Sequence, residues 1–195
     1  MRYSQHTEEG VIQKYVGHMP SGTYVDIGAG DPKEFSNTYA LYEKGWRGVI
    51  VEPFPKYKEQ LLAVRPEDKL CTKVITNHIG EVEMINTASV ETDIGRGYKL
   101  DMKDRVSYKA PCYTMKEFLE EYPEAKEPDF LSLDIEAGEE ALFEKCDFNI
   151  FKPKLMCVEY EIHHIDYRKN WEKYVLDFYD RVENIWFNQF YLRKP

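Results

Sequence analysis

The residues with the most chemical potential lie in one short stretch, Tyr24-Val25-Asp26-Ile27-Gly28-Ala29-Gly30-Asp31-Pro32, an apolar strand running directly into D-x-G-x-G. Glycines there let the backbone turn sharply and approach a ligand with no side chain in the way. Asp26, two residues ahead of Gly28, would repel a pyrophosphate but attract the ammonium of an amino-acid-like cofactor. The third glycine that a dinucleotide fingerprint wants is missing, since Lys33 follows Pro32. These residue types favour S-adenosylmethionine over a nicotinamide dinucleotide. Glu52 closes Gly48-Val49-Ile50-Val51, where a carboxylate accepts hydrogen bonds from two ribose hydroxyls. Asp26, Gly28, Ala29, Gly30, Glu52 and Pro53 are thus cofactor-binding candidates, joined by Asn37, at a helix start facing the same side, and Asn77, placed to hold adenine.

A second group lies farther along the chain: Asp134, Glu136, Glu159, Glu161, His163 and His164 at or just beyond two strand ends. Methyl transfer from such a cofactor is an in-line displacement, and an unactivated hydroxyl as acceptor would also need removal of its proton. Clustered acids supply either a general base with a raised pKa or a seat for a divalent cation that acidifies the hydroxyl. The residue types leave both open. Asp134, Glu136, Glu159 and His163 are the catalytic candidates, and Asp134 and Glu159 the candidate metal ligands. His164-Ile165-Asp166 also spells H-x-D, a weak iron-site pattern.

Positioning these groups requires a scaffold, and the chain alternates short apolar runs with amphipathic segments, the signature of a parallel sheet flanked by helices. Strands are expected at 23–27, 48–52, 70–75, 82–85, 130–134 and 155–160, and helices at 37–44, 56–64, 139–145 and 171–179. Thr114-Met115-Lys116-Glu117 is a capping box opening another helix. Residues 86–111 break the alternation as a polar segment, basic at Arg96, Lys99, Lys103, Arg105 and Lys109, a charge that suits an anionic acceptor, with Tyr98 and Tyr108 offering aromatic faces. The 182–192 tail reads as an antiparallel hairpin at the sheet edge.

The 195 residues suit one domain, and 43% hydrophobic with 14% aromatic content supplies a core. With 26 Lys and Arg against 35 Asp and Glu, the net charge of -9 argues against nucleic acid as main partner. No apolar run is long enough to span a bilayer or serve as a signal-peptide core. Cys71, Cys112, Cys146 and Cys157 are widely spaced, as expected of idle thiols in a reducing, cytoplasmic setting.

The chain resembles the FkbM-type S-adenosylmethionine-dependent methyltransferases. The likeness runs through Ser4-Gln5 and Glu8-Glu9, 24–32, Ser36-Asn37-Thr38, Gly45-Trp46-Arg47-Gly48, Val51-Glu52-Pro53, Arg65-Pro66, 129–136, Asp147-Phe148, Lys152-Pro153 and Val158-Glu159. It departs at Asp134-Ile135-Glu136-Ala137-Gly138-Glu139, where the family's D-x-E-G-x-E has its glycine one position earlier. The resemblance implies an α/β, Rossmann-like class I methyltransferase fold: a mostly parallel seven-stranded sheet, helices on both faces and a C-terminal antiparallel hairpin. It further implies S-adenosylmethionine and O-methylation of a sugar, glycan or related small molecule. The expectation is one domain over 1–195, with 1–20 as an N-terminal helix or lid that includes Gln5 and 86–111 on the acceptor side, standing alone or as a module of a larger glycan-modifying assembly. A non-catalytic cofactor-binding module is the alternative, and an NAD-linked oxidoreductase a more remote one.

Overall fold

The computed structural model describes residues 3–87, 105–136, 138–162 and 164–195. Its strands are β1 (Thr23–Ile27), β2 (Arg47–Val51), β3 (Lys69–Cys71), β4 (Val74–Ile75), β5 (Gly80–Thr87), β6 (Arg105–Tyr113), β7 (Phe130–Leu133), β8 (Leu155–Glu159), β9 (Glu161–Ile162), β10 (Ile165–Asp166), β11 (Tyr179–Ile185) and β12 (Asn188–Arg193). The helices are α1 (Glu8–Ile12), continued by a π-helical turn over Gln13–Gly17, then α2 (Tyr39–Glu43), α3 (Pro55–Val64), α4 (Met115–Glu121), α5 (Glu139–Glu144) and α6 (Arg168–Val175).

Seven strands form one sheet in the order β3-β2-β1-β7-β8-β12-β11. Pairings from β3 through β8 are parallel, and β12 lies antiparallel to both β8 and β11. The chain winds outward from β1 in one direction and resumes at β7 in the other, so the crevice for a ligand opens beyond the carboxyl ends of β1 and β7. Strands covered on both faces have few polar positions to offer, and β7 is buried at all four residues. Val25, Val49, Leu131, Met156 and Val158 point to a core shared with Phe143 and Trp171 of α5 and α6. Tyr24, Phe130, Leu155 and Phe190 point to the other, which packs against Val11, Ile12 and Leu41.

Several boundaries differ from the sequence expectation. The strand expected over 70–75 divides: β3 closes the main sheet, while β4 pairs with β6 in a small sheet of order β4-β6-β5. The sulfur of Cys71 lies 3.0 Å from the Tyr113 hydroxyl, tying the two sheets together at the break. The segment expected to be irregular from 86 to 111 is strand at both ends, because β5 and β6 pair from Gly80↔Cys112 to Thr87↔Arg105. Its central residues, with Arg96, Tyr98, Lys99 and Lys103, lie outside the described residues. The last helix starts at Arg168 rather than Trp171, where the Asp166 carboxylate accepts the Arg168 N–H at 2.9 Å, and it ends before Tyr179, which opens β11. The capping box at Thr114 and Glu117 is formed.

Beneath the crevice lies a buried ionic knot. The Arg65 guanidinium, 1% exposed, donates from Nε to Asp68 at 2.9 Å and from Nη2 to the Thr38 hydroxyl at 2.9 Å, with Nη1 3.5 Å from Asp26. Thr38 donates its own hydroxyl hydrogen bond to Asp26, while Asp68 also accepts from the Tyr24 hydroxyl at 2.6 Å and the Gly48 N–H at 2.8 Å. One cation thereby joins the end of β1, the loop before α2 and the approach to β3. Arg65→Met would leave two carboxylates uncompensated in the interior. The expected loss is about 3–5 kcal/mol, a melting-point drop on the order of 10 °C by calorimetry, partly recovered when Asp68→Asn is added.

Candidate active site

The glycine turn is built against the neighbouring strand. Gly28, at φ +84°, donates its N–H to Val51 O at 2.9 Å, and a Cβ there would fall 1.8 Å from the Asp134 carbonyl oxygen. That approach admits only glycine. Asp134 in turn donates its N–H to Ile27 O at 3.0 Å, so the ends of β1 and β7 interlock. At Gly30, with φ +58°, a Cβ would meet nothing within 4 Å and would point into open space.

Glu52, 3% exposed, accepts the Gly30 N–H on Oε2 at 2.7 Å and the Phe54 N–H on Oε1 at 2.8 Å. Burial raises its pKa, and the two amide donors work against that rise. The carboxylate is thus bound to the loop it would serve, facing the space beside Gly30. Tyr108 of β6 packs its ring 5.3 Å from Phe54, and its buried hydroxyl has no partner among the described residues. Its pKa is pushed up to about 12 by burial and by the charge of Glu52. An orphaned hydroxyl, a ribose-type acid and an open glycine cradle fit an adenosine-bearing cofactor.

The other predicted cofactor residues divide. Asp26 is 4% exposed and turned into the sheet face, with Oδ2 engaged by Thr38 and Arg65, so it forms the floor of the site instead of a free counter-ion. Asn37 reaches from the loop before α2 to the Ser132 hydroxyl of β7 at 3.2 Å. Ser132 is the register partner of Asp26, which places Asn37 over the same floor. Ala29 sits between the glycines, with its N–H 3.4 Å from Val51 O, and Pro53 is half-buried next to Glu52. Asn77 follows β4, outside the main sheet, and donates to Glu144 of α5 at 3.0 Å.

Asp134, Glu136 and Glu159 converge at the ends of β7 and β8, each with a carboxylate oxygen within 4.8 Å of the others, a donor set suited to a hard divalent cation or to proton transfer. Asp134 and Glu136 are open to solvent and Glu159 is half-buried. Burial first, and then the charge of Asp134, push Glu159 far above the carboxylate range, so it keeps its proton beside Asp134, whose own pKa burial also raises. Glu136, held at φ +54°, is raised to about 7 by partial desolvation where its carboxyl meets the cluster, and by Asp134. Glu139, 2% exposed in the first turn of α5, accepts the Ile135 N–H at 3.1 Å and is also raised to about 7, mainly by burial. Sequence spacing pointed to three of these acids but not to Glu139, whose position reads only as a helix start.

His163 lies outside the described residues. His164 is exposed, 3.6 Å from Glu161, and Asp166 is held by the Arg168 guanidinium, so the H-x-D pattern forms no joint site. Two further residues had no sequence signal beyond their aromatic type: His6 and Trp186 stack with ring centroids 4.7 Å apart.

Raised carboxylate pKa values have a definite sign for stability. The folded chain binds protons more tightly than the unfolded chain, so stability falls as pH rises from about 4.5 to about 7. Glu136→Gln should raise the melting temperature above pH 7 and leave it nearly unchanged at pH 4, as followed by thermal denaturation across pH.

The sequence pattern of the Methyltransferase FkbM domain matches residues 26–189, from the carboxylate of β1 to β12. The fold is similar to that of a TehB-like SAM-dependent methyltransferase from Corynebacterium glutamicum ATCC 13032, with a TM-score of 0.52 and 8% identity over 98% of this chain and 89% of that one. No curated protein sequence matches the chain.

Proposed function

The chain belongs to the FkbM methyltransferase family, and on that premise we propose that it is an O-methyltransferase acting on a hydroxyl of a sugar, glycan or related small molecule. Family and fold imply S-adenosylmethionine, which when bound supplies an electrophilic methyl group on a sulfonium centre. The observation that carries the reading is the contact of Gly28 with the Asp134 carbonyl, which sets the glycine turn and a basic carboxylate side by side at the β1/β7 crevice.

In this reading Glu52, Gly28, Ala29, Gly30 and Pro53 bind the nucleoside, Tyr108 adds its unpartnered hydroxyl, and Asp26 and Asn37 form the floor under the amino-acid end. Asp134 would accept the proton of the acceptor hydroxyl, leaving that oxygen the electron pair with which to take the methyl group. Glu159, protonated against Asp134, keeps that carboxylate oriented and single-charged. Glu136 adds negative potential at the mouth, which favours neutral or cationic acceptors over the anionic ones that a basic 86–111 segment would suit. His163 remains a candidate second base by its place in the sequence. The four free cysteines fit a reducing, cytoplasmic setting, and among the described residues no helix is long and apolar enough to cross a membrane.

Calorimetry should show binding of S-adenosylmethionine and S-adenosylhomocysteine that Glu52→Ala weakens at least about tenfold, the loss of one or more charge-assisted hydrogen bonds. Asp134→Asn should bind both normally and lower kcat by about 10²–10⁴. Binding of NADH in place of the adenosyl compounds would overturn the cofactor reading, and an Asp134→Asn enzyme of full activity would remove Asp134 as the base.

A further inference from the structure

The hairpin joining β11 to β12 turns at Trp186 and Phe187, at the edge of the sheet where the carboxyl ends of β7 and β8 lie, and Asn188 pairs with Glu159 in register. This tip is held in place. Tyr160, next after Glu159, donates its N–H to Phe187 O at 2.8 Å and its hydroxyl to Trp186 O at 2.9 Å. Trp186 adopts φ +51°, in a two-residue turn position that glycine fills at least cost. A tryptophan there carries backbone strain, yet its indole stays 66% exposed, while Trp46 and Trp171 are at most 1% exposed.

The amino-terminal segment completes the arrangement. His6 stacks on the indole at 4.7 Å with 15° between planes, covering one face, and Phe187 stands beside it at 6.1 Å and 59°. His6 is fixed through its N–H, which donates to Glu8 at 2.8 Å, and Asn188 donates to the same fully buried carboxylate at 3.1 Å. The His6 Nε2 atom is itself buried and has no partner among the described residues.

We propose that the exposed face of Trp186, backed by His6, is the acceptor subsite and stacks a neutral sugar ring whose hydroxyl edge turns toward Asp134 and Glu159. The proposal rests on the transferase reading above and names its acceptor side. The chemistry of the two neighbours selects this ligand class. An aromatic face attracts the polarised C–H groups of a pyranose and carboxylates accept its hydroxyls, so a polyhydroxylated ring can use both neighbours. The acid cluster disfavours anionic groups at the same place.

Trp186 is the exposed one of the three tryptophans, so its fluorescence reports occupancy of the subsite without any turnover. Purified full chain, saturated with S-adenosylhomocysteine, would be titrated with methyl hexosides and linear hexose oligosaccharides. The expected result is a saturable emission change in wild type that is absent in Trp186→Ala and retained in part as weakened binding by calorimetry in Trp186→Phe. For a sugar that is methylated, Trp186→Ala should raise acceptor KM about 3- to 10-fold, the worth of one aromatic contact, with S-adenosylhomocysteine affinity unchanged. Unchanged acceptor KM in Trp186→Ala overturns the subsite and leaves the transferase reading intact. Phenols that bind while no sugar does overturn the ligand class, and absent sugar binding with normal adenosyl-compound binding overturns the subsite and the sugar acceptor together. Loss of adenosyl-compound binding by wild type is the separate failure of the cofactor reading.

Discussion

The crevice depends on a single buried cation. Arg65 sits between Asp26 and Asp68 with Thr38 as a relay, and the rings of Tyr24 and Tyr42 lie 5.3 and 5.6 Å from its guanidinium. Buried carboxylates are tolerated only with such compensation. The knot fixes the end of β1 where the glycine turn begins, and it fixes the Ser36–Thr38 loop that delivers Asn37. The raised pKa of Asp26, caused chiefly by burial and opposed by Arg65 and Thr38, reflects the same balance. A cofactor-binding surface made largely of backbone needs its backbone held, and this ion network does that from below.

Much of the scaffold was legible because both periodicities were strong. Residues 155–158 form a continuous apolar run, as a strand covered on two faces must, and the capping box at Thr114 and Glu117 marks a helix start by hydrogen bonds local in sequence. The pairing of β5 with β6 was not legible. It joins residues separated by a long polar segment, and their alternation of charged and apolar side chains suits an exposed ribbon as well as a loop. The division of 70–75 between two sheets was equally hidden, because a continuous apolar run carries no sign of which partner each half will find.

At the site, residue type and spacing identified the acids but not their states. Asp26 and Glu52 look alike in sequence as strand-end carboxylates. The structure makes one the counter-ion of a buried arginine and the other the partner of two loop amides. Likewise Asp134 and Glu159 are 25 positions apart, and the raised pKa of Glu159 beside Asp134 arises from the adjacency of β7 and β8. Tyr108 was expected on the acceptor side by its place in a polar segment, but strand β6 carries it to Phe54 and the charge of Glu52.

The contact between Gly28 and the Asp134 carbonyl has a mechanical meaning. Two strands that interlock at their ends this closely, through Asp134 N–H to Ile27 O as well, cannot slide or hinge against each other without losing both contacts. The glycine turn and the Asp134 end of β7 therefore behave as one rigid body, while the hairpin tip and the amino-terminal segment stacked upon it lie outside it. Under the proposed subsite, acceptor range and the alignment of the reacting centre would be carried by separate pieces of the chain, so the first could change while the second stayed fixed.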